Sequence, residues 1–567
     1  MKYKLIFLLL IFSILSSCNL LPFVKYYTTT KDGKFPKFSK MEYLAGTNNK
    51  YRSSYDISFY NLNIEVFPKK KFIEGSMVIN FEVKQKTDTI LIDLHKNLKL
   101  DSIKLDDMSE LSWKRKGDLV FLIFNHILEI GNTKKIEIFY RGNPPKLLNY
   151  GPIHWKKDKN GKFWISTSTQ GIGAHWIMPC KYLLNDEPDS IRMNITVPKG
   201  LIAVCNGRLK NRKTINNKES FEWITKNPIN VYNISFNIGD FKHFEIPYAN
   251  SSGNHQLQFW VLPYHYDKAK EYLKQCVDIL HFYESIYDEY PWWNDEFKII
   301  ESSYPIGSGM EHQSAITVGL SYENNLFDYS ALLVHEIAHE WWGNSVSIED
   351  YGDIWMHEGF AEFNELLFTE YKYGKYQYNQ MSKIYKNYIY NKRQLIKPLN
   401  VLYNPFVNSI DSDVYYKGAL VLYTLRYCID NDSLFFDILK SFYLKYKKKN
   451  IRTIDFINHV NNKTNRNFNW FFNQYLYNYK IPELHYFEKD ELSDSGKIST
   501  FYYKWMNTEA EFKMPVNIIA DDDTISLIPS VELKSIKFTN IDTLYFDENN
   551  GYFDMLKDIS INNFVKK

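Results

Sequence analysis

The sequence predicts a multidomain α+β protein. An N-terminal β-sandwich-like domain spans residues 41–247, a mostly helical domain 248–484, and a small C-terminal β-domain 485–567. Three observations predict it. A chain of 567 residues holds about three domains at roughly 100–200 residues each. Its hydrophobic period is near two in the first part, changes to three-and-four near residue 250, and returns to short alternating runs after about 485. An apolar content of 44%, with 17% aromatic residues, supplies several cores and excludes general disorder. The net charge is +3, and +1 once Lys2 and Lys4 of the leader are set aside. So balanced a chain gives no reason to expect nucleic acid as a partner.

The first element is an address. Lys2 and Lys4 open it, Leu5 to Leu15 form an apolar run, and Leu15-Ser16-Ser17-Cys18 follows. The run is too short to span a bilayer, and no other long apolar run suggests a multispan protein. Leu-Ser-Ser-Cys resembles the bacterial lipobox, which implies a signal peptide over 1–17 and lipidation of Cys18. Several acyl chains there would anchor the protein stably, in the bacterial cell envelope, on a periplasmic or surface face. An ordinary secretory signal or an uncleaved anchor are the alternatives. Residues 18–40 then read as a tether.

The β-domain is read from "YNLNIEVF", "GSMVINFEV", "DTILIDL", "LVFLIF", "KIEIFY" and "VYNISFNIGDF", β-branched or aromatic alternations between polar breaks. Helices begin at "YHYDKAKEYLKQCVDILHFYESIYDEY" and run to about 480. Strands return in "EFKMPVNIIA", "TISLIPSVEL" and "DTLYFD". Cys180, Cys205, Cys276 and Cys428 form no CxxC pair, so they read as buried thiols rather than zinc ligands. Lys447-Lys448-Lys449 reads as a solvated helix end.

Chemistry concentrates in the helical part. "HEIAH" puts His335 and His339 four residues apart in a predicted helix, with Asp328 or Ser330 as N-cap and Gly343 as stop. That spacing brings both imidazoles to one face, within reach of one zinc. Glu336 lies about 100° round, an offset that suits a general base toward water held at the metal. Glu358 follows His339 after eighteen residues, in a helical pattern ending at Gly374, and completes a His₂Glu set with an open position. Glu362 and Glu365 share its helical side, and one of them can orient a ligand histidine through its free N–H. Upstream, "GSGMEHQ" at 307–313 reads by itself as a glycine turn before a strand, although glycine there allows close backbone approach and a following carboxylate, Glu311, can project into a cleft.

Together these segments resemble the aminopeptidase N family, the gluzincin aminopeptidases that also include leukotriene hydrolase/aminopeptidase. The resemblance covers roughly residues 50–485. "HEGFA" stands where the family usually has NEGFA, with His357 for Asn, and "GSGMEH" stands for GxMEN, with His312 for Asn. It implies one Zn²⁺ per chain on His335, His339 and Glu358, with Glu336 as general base. Glu311 would bind the substrate's free α-amine, next to Gly309 and Met310 of the same motif. "VYYKGAL" matches a Tyr-x-Lys-Gly segment, so Tyr415 would stabilise the transition state, and "TQGIGAHWIMPC" makes Gln170 a candidate cleft contact. The implied architecture is a β-domain, a thermolysin-like catalytic domain and a C-terminal β-domain. The large helical C-terminal domain of many relatives has no room.

The leading expectation is thus a zinc aminopeptidase acting on peptides with a free N-terminus, membrane-bound through its lipid. A related zinc endopeptidase or epoxide-opening hydrolase, and a non-enzymatic lipid-anchored binding protein, are the alternatives.

Overall fold

The computed structural model describes residues 39–146, 151–324, 327–397, 412–494, 496–547 and 551–557. The predicted signal peptide, Cys18 and nearly all of the tether lie outside the described residues.

The first domain centres on a seven-stranded sheet in which Tyr55–Phe67 lies between Ser190–Pro198, parallel to it, and Phe72–Val83, antiparallel. Tyr60, Leu62, Ile64 and Val66 are buried at alternate positions of that strand, the period-two pattern of a half-buried strand. A four-stranded sheet (Ile202–Cys205, Phe236–Gly239, Phe163–Thr167, Ile153–Lys157) and a three-stranded one (Thr87–Asp93, Leu119–Leu128, Ser112–Lys116) share its core. "VYNISFNIGDF" is not one strand. Asn230 accepts a hydrogen bond from Tyr232 N through its side chain, which closes a 3₁₀ turn over Val231–Asn233, and the strand begins only at Phe236.

The second domain, expected to be mostly helical, opens on strands. Lys242–Asn250 straddles the expected boundary at 247 and pairs with Gly253–Val261. The hairpin belongs to a five-stranded sheet with Phe297–Glu301, Ile316–Val318 and, at the edge, Gly309–Met310. Leu257, Phe259 and Val261 are its buried face, a period-two run just upstream of the helical pattern. The first helix of this domain is Tyr266–Tyr272.

The third domain carries the strands Val516–Ala520, Asp523–Leu527 and Leu544–Phe546 in one sheet. The hairpin Glu483–Ser493/Gly496–Met506, which sequence patterning did not single out, anchors the other. Cys180, Cys205, Cys276 and Cys428 are buried and unbridged, as predicted. Lys447 to Lys449 follow the helix Asp432–Tyr446 and are exposed. No helix among the described residues is long and apolar enough to cross a membrane.

Candidate functional site

The histidine helix is Ala331–Ala338, capped by Ser330, whose Oγ accepts from Leu333 N. It ends earlier than predicted: His339 is already its C-cap residue, and the chain then turns through Trp341 and Trp342 before Gly343, at φ +135°. Leu333, Val334, Ile337 and Ala338 are fully buried, which fixes the opposite face and turns His335 and His339 together. Their Nε2 atoms lie 3.1 Å apart. The glutamate helix, Trp355–Tyr385, contributes Glu358 from its first turn. Gly374 breaks this helix at φ 82°, as its position suggested, yet helix resumes beyond it. Glu358 Oε2 is 3.3 Å from His339 Nε2 and 3.6 Å from His335 Nε2.

These residues fit a metal ion. His339 Nδ1 meets the carbonyl of Trp342 at 2.9 Å, and a carbonyl can only accept, so that nitrogen carries the proton. His335 Nδ1 meets Glu365 Oε1 at 2.9 Å and Glu362 Oε2 at 3.4 Å. With its Nδ1 so engaged, each ring in its neutral form presents an Nε2 lone pair, and two such lone pairs 3.1 Å apart repel unless a proton or a metal cation lies between them. The electrostatics agree. Burial opposes charge on His339, but Glu311 and Glu358 outweigh it and push the imidazole up to about 9. Burial would also raise the Glu358 carboxyl, yet His335 and His339 hold it well below the usual carboxylate range. The pocket is built to hold positive charge. A second acidic set, His335 with Glu362 and Glu365, shares His335 and acts on its far nitrogen.

Around this centre stand the other predicted residues. The Glu336 carboxylate packs on the backbone of Gly309, where a Cβ would fall 2.1 Å from Oε1, so a side chain there would displace the carboxylate. Burial, opposed by His335 and His339, pushes Glu336 up to about 7. Gly309 and Met310 pair with Val318 and Thr317 as the sheet edge, and Glu311, 3% exposed, comes next. Glu311 Oε1 accepts from Gln170 Nε2 at 2.7 Å, and the same Nε2 lies 3.3 Å from Glu358 Oε1. Tyr415 precedes the tyrosine helix Tyr416–Ile429 and stacks on His335, with ring centroids 6.1 Å apart. Burial and the charge of Glu358 hold its hydroxyl well above the ordinary phenol range, so it stays a donor. A Cβ on Gly359, beside Glu358, would fall 2.8 Å from Gly418 Cα, and the reverse holds. The glutamate and tyrosine helices thus touch backbone to backbone.

The arrangement has counterparts among known proteins. The M1 peptidase N-terminal domain model matches residues 56–232 and the M1 peptidase domain model residues 271–475. The two models lie in order along the chain and take in well over half of it.

The chain belongs to the M1 peptidase family.

Aminopeptidase N of Rattus norvegicus is 27% identical over 330 residues, 53% of this chain and 33% of that protein. Human endoplasmic reticulum aminopeptidase 1 is 23% identical over 67% of this chain and 42% of its own length. The chain thus spans less than half the length of these curated M1 relatives. The M1 zinc metallopeptidase of Deinococcus radiodurans shares the fold, with TM-score 0.64 at 17% identity over 76% of this chain and 95% of that one. The β-domain, helical catalytic domain and C-terminal β-domain expected from the sequence are therefore the M1 architecture.

Within this M1 site the structure adds residues that motif reading missed. Tyr232 Oη donates to Glu311 Oε1 at 3.0 Å. Asn344 Nδ2 donates to the Glu311 carbonyl at 2.7 Å, and Asn233 Nδ2 to Asn344 Oδ1 at 2.6 Å. Asn344 stands five residues after His339, so proximity to the motif was a signal; Tyr232 had none. The two atypical histidines touch no metal-facing atom. Burial lowers each to about 3; His312 Nδ1 meets Thr317 Oγ1 at 3.0 Å and His357 Nε2 meets Ser347 Oγ at 3.4 Å.

Proposed function

We propose that this protein is a zinc-dependent aminopeptidase with one zinc per chain, removing single residues from the free N-termini of peptides. One observation carries the reading: a buried carboxylate outside the His335, His339 and Glu358 set, Glu311, faces the same cleft and is linked to that set through Gln170. Zinc held by those three residues would act as a Lewis acid, lowering the pKa of water and polarising the scissile carbonyl.

The chain's own groups do the rest. Glu311 pairs with the substrate ammonium and sets the scissile bond one residue from the N-terminus. The edge strand at Gly309 and Met310 offers backbone groups to an extended peptide. Glu336 takes a proton at its carboxylate from the attacking water and returns it to the leaving amine; a proton affinity near neutrality suits both transfers. The Tyr415 hydroxyl donates to the carbonyl oxygen as charge develops there, a contact stronger in the transition state than in the ground state.

Acetylating the substrate amine leaves Glu311 a desolvated charge without its partner. Acetylated aminoacyl-coumarins should therefore be cut at least ~10²-fold more slowly than the free ones, at about 1.4 kcal/mol per factor of ten. Glu311→Ala should remove most of that difference with zinc content unchanged. Equal rates on both substrates in the wild type would promote an endopeptidase instead.

The leader pattern supports lipid anchoring through Cys18 at the cell envelope. Cys18→Ser should move the protein from the detergent phase to the aqueous one, and unchanged partitioning would remove the anchor.

A further inference from the structure

The aminopeptidase reading gives Glu311 its task but does not say what holds the carboxylate ready for it. Among the described residues, the two side chains that donate to the Glu311 carboxylate come from the first domain, and both fall on the same oxygen. Gln170 Nε2 and Tyr232 Oη reach Oε1 at 2.7 and 3.0 Å. The two donors are joined to each other, because Thr169 Oγ1 donates to the Tyr232 carbonyl at 2.9 Å. Their loop is fastened to the catalytic domain as well: Gly171 N donates to Tyr351 Oη at 2.8 Å, in the turn that leads to the glutamate helix. The Glu311 backbone is held separately by Asn344.

A carboxylate offers two oxygens with about two acceptor directions each. Two donors on Oε1 satisfy it and fix the rotation of the group, which leaves Oε2 as the acceptor for an ammonium. Resting on the aminopeptidase reading, the geometry points to Tyr232 as a positioning residue for amine recognition, its hydroxyl occupying Glu311 Oε1 so that Oε2 is presented to the substrate N-terminus. Tyr232 is buried, and burial together with the charge of Glu311 keeps its hydroxyl protonated, so it remains a donor throughout. Among the described residues the Tyr232 hydroxyl donates to Glu311 and makes no hydrogen bond to His335, His339, Glu358 or Glu336. Its effect should therefore be confined to substrates that carry a free amine.

Tyr232→Phe removes one oxygen and keeps the ring. With free aminoacyl-coumarins kcat/KM should fall about tenfold, the scale of one hydrogen bond to a charged acceptor, and the loss should sit mostly in KM. The N-acetylated substrates should be cut at the wild-type rate, and zinc content should not change. In a Glu311→Ala background the same substitution should cost nothing further, since the group it positions is gone. Tyr232→His, which retains a ring and a donor, serves if the first variant does not fold, with a free-to-acetylated ratio between wild type and Glu311→Ala expected. The assignment is overturned if free and acetylated substrates slow together, if the ratio stays at its wild-type value, or if Tyr232→Phe costs as much without Glu311 as with it. A wild type indifferent to acetylation would instead bring down the aminopeptidase reading, and Tyr232's role with it. A strong wild-type preference left untouched by Tyr232→Phe would bring down the role of Tyr232 alone.

Discussion

The two ends of the cleft are held by different means. At the metal end the contacts that set the ligands are internal to the catalytic domain: His335 and His339 come from one helix, Glu358, Glu362 and Glu365 from the next, and Trp342 from the turn between them, while Gln170 of the first domain reaches Glu358 Oε1 more loosely, at 3.3 Å. At the amine end the carboxylate belongs to the catalytic domain, but the side chains that orient it, Gln170 and Tyr232, arrive from the first domain. The metal end needs one domain to be folded; the amine end needs two to be docked. The difference separates chemistry from substrate choice, because perturbing one end should leave the other intact.

The largest test of that separation is Glu336→Gln. It removes only the proton carrier, so turnover should fall by about 10⁴, while metal analysis still finds one zinc and substrate binding is retained. Loss of zinc in this variant would make Glu336 a ligand and redraw the metal end. Tyr415→Phe should lower kcat by about 10²–10³ with little change in KM, as for an oxyanion donor. Because Tyr415 stacks on His335 and is assigned to the carbonyl oxygen rather than to the amine, free and acetylated substrates should slow by the same factor. A selective effect on free amines would erase the distinction drawn above. Glu365→Gln should weaken zinc binding by about 10–100-fold, the usual consequence of disturbing a group that orients a ligand histidine, readable by competition with a chelator. Smallest is Gln170→Leu, expected to cost about tenfold on free-amine substrates with zinc affinity within twofold of wild type, the order of experimental scatter. A large zinc effect there would show that the 3.3 Å contact with Glu358 binds the two ends into one unit.

The same contrast explains what the sequence could reveal. The metal end was legible because helical geometry turns spacing into position. Four residues set His335 beside His339, eighteen allow one helix to end and another to return, and seven carry Glu365 to the back of His335. Glycines in the motifs were legible in kind, as sites of close approach, but only the structure shows what approaches. Gly309 admits Glu336, and Gly359 and Gly418 admit each other. The amine end was half visible, since Glu311 and Gln170 were found by resemblance, whereas Tyr232 sits in a one-turn 3₁₀ segment that looked like strand. Its position depends on the Asn230 cap and on the fold of two sheets, which no local period records. The hairpin 242–261 was misplaced for a related reason: its alternation is short and abuts a stronger helical pattern.

The glycine contact between the glutamate and tyrosine helices has a mechanical consequence. With no side chain between Gly359 and Gly418 to compress or rotate, the backbones that carry Glu358 and Tyr415 meet at a machined spacing. A rocking of the first domain would stretch the contacts on Glu311 while the metal ligand and the hydroxyl donor kept their spacing. On the aminopeptidase reading, breathing of the cleft would then admit and discharge peptides without detuning the cleavage step, and a single methyl group on either glycine would be enough to put that spacing out of gauge.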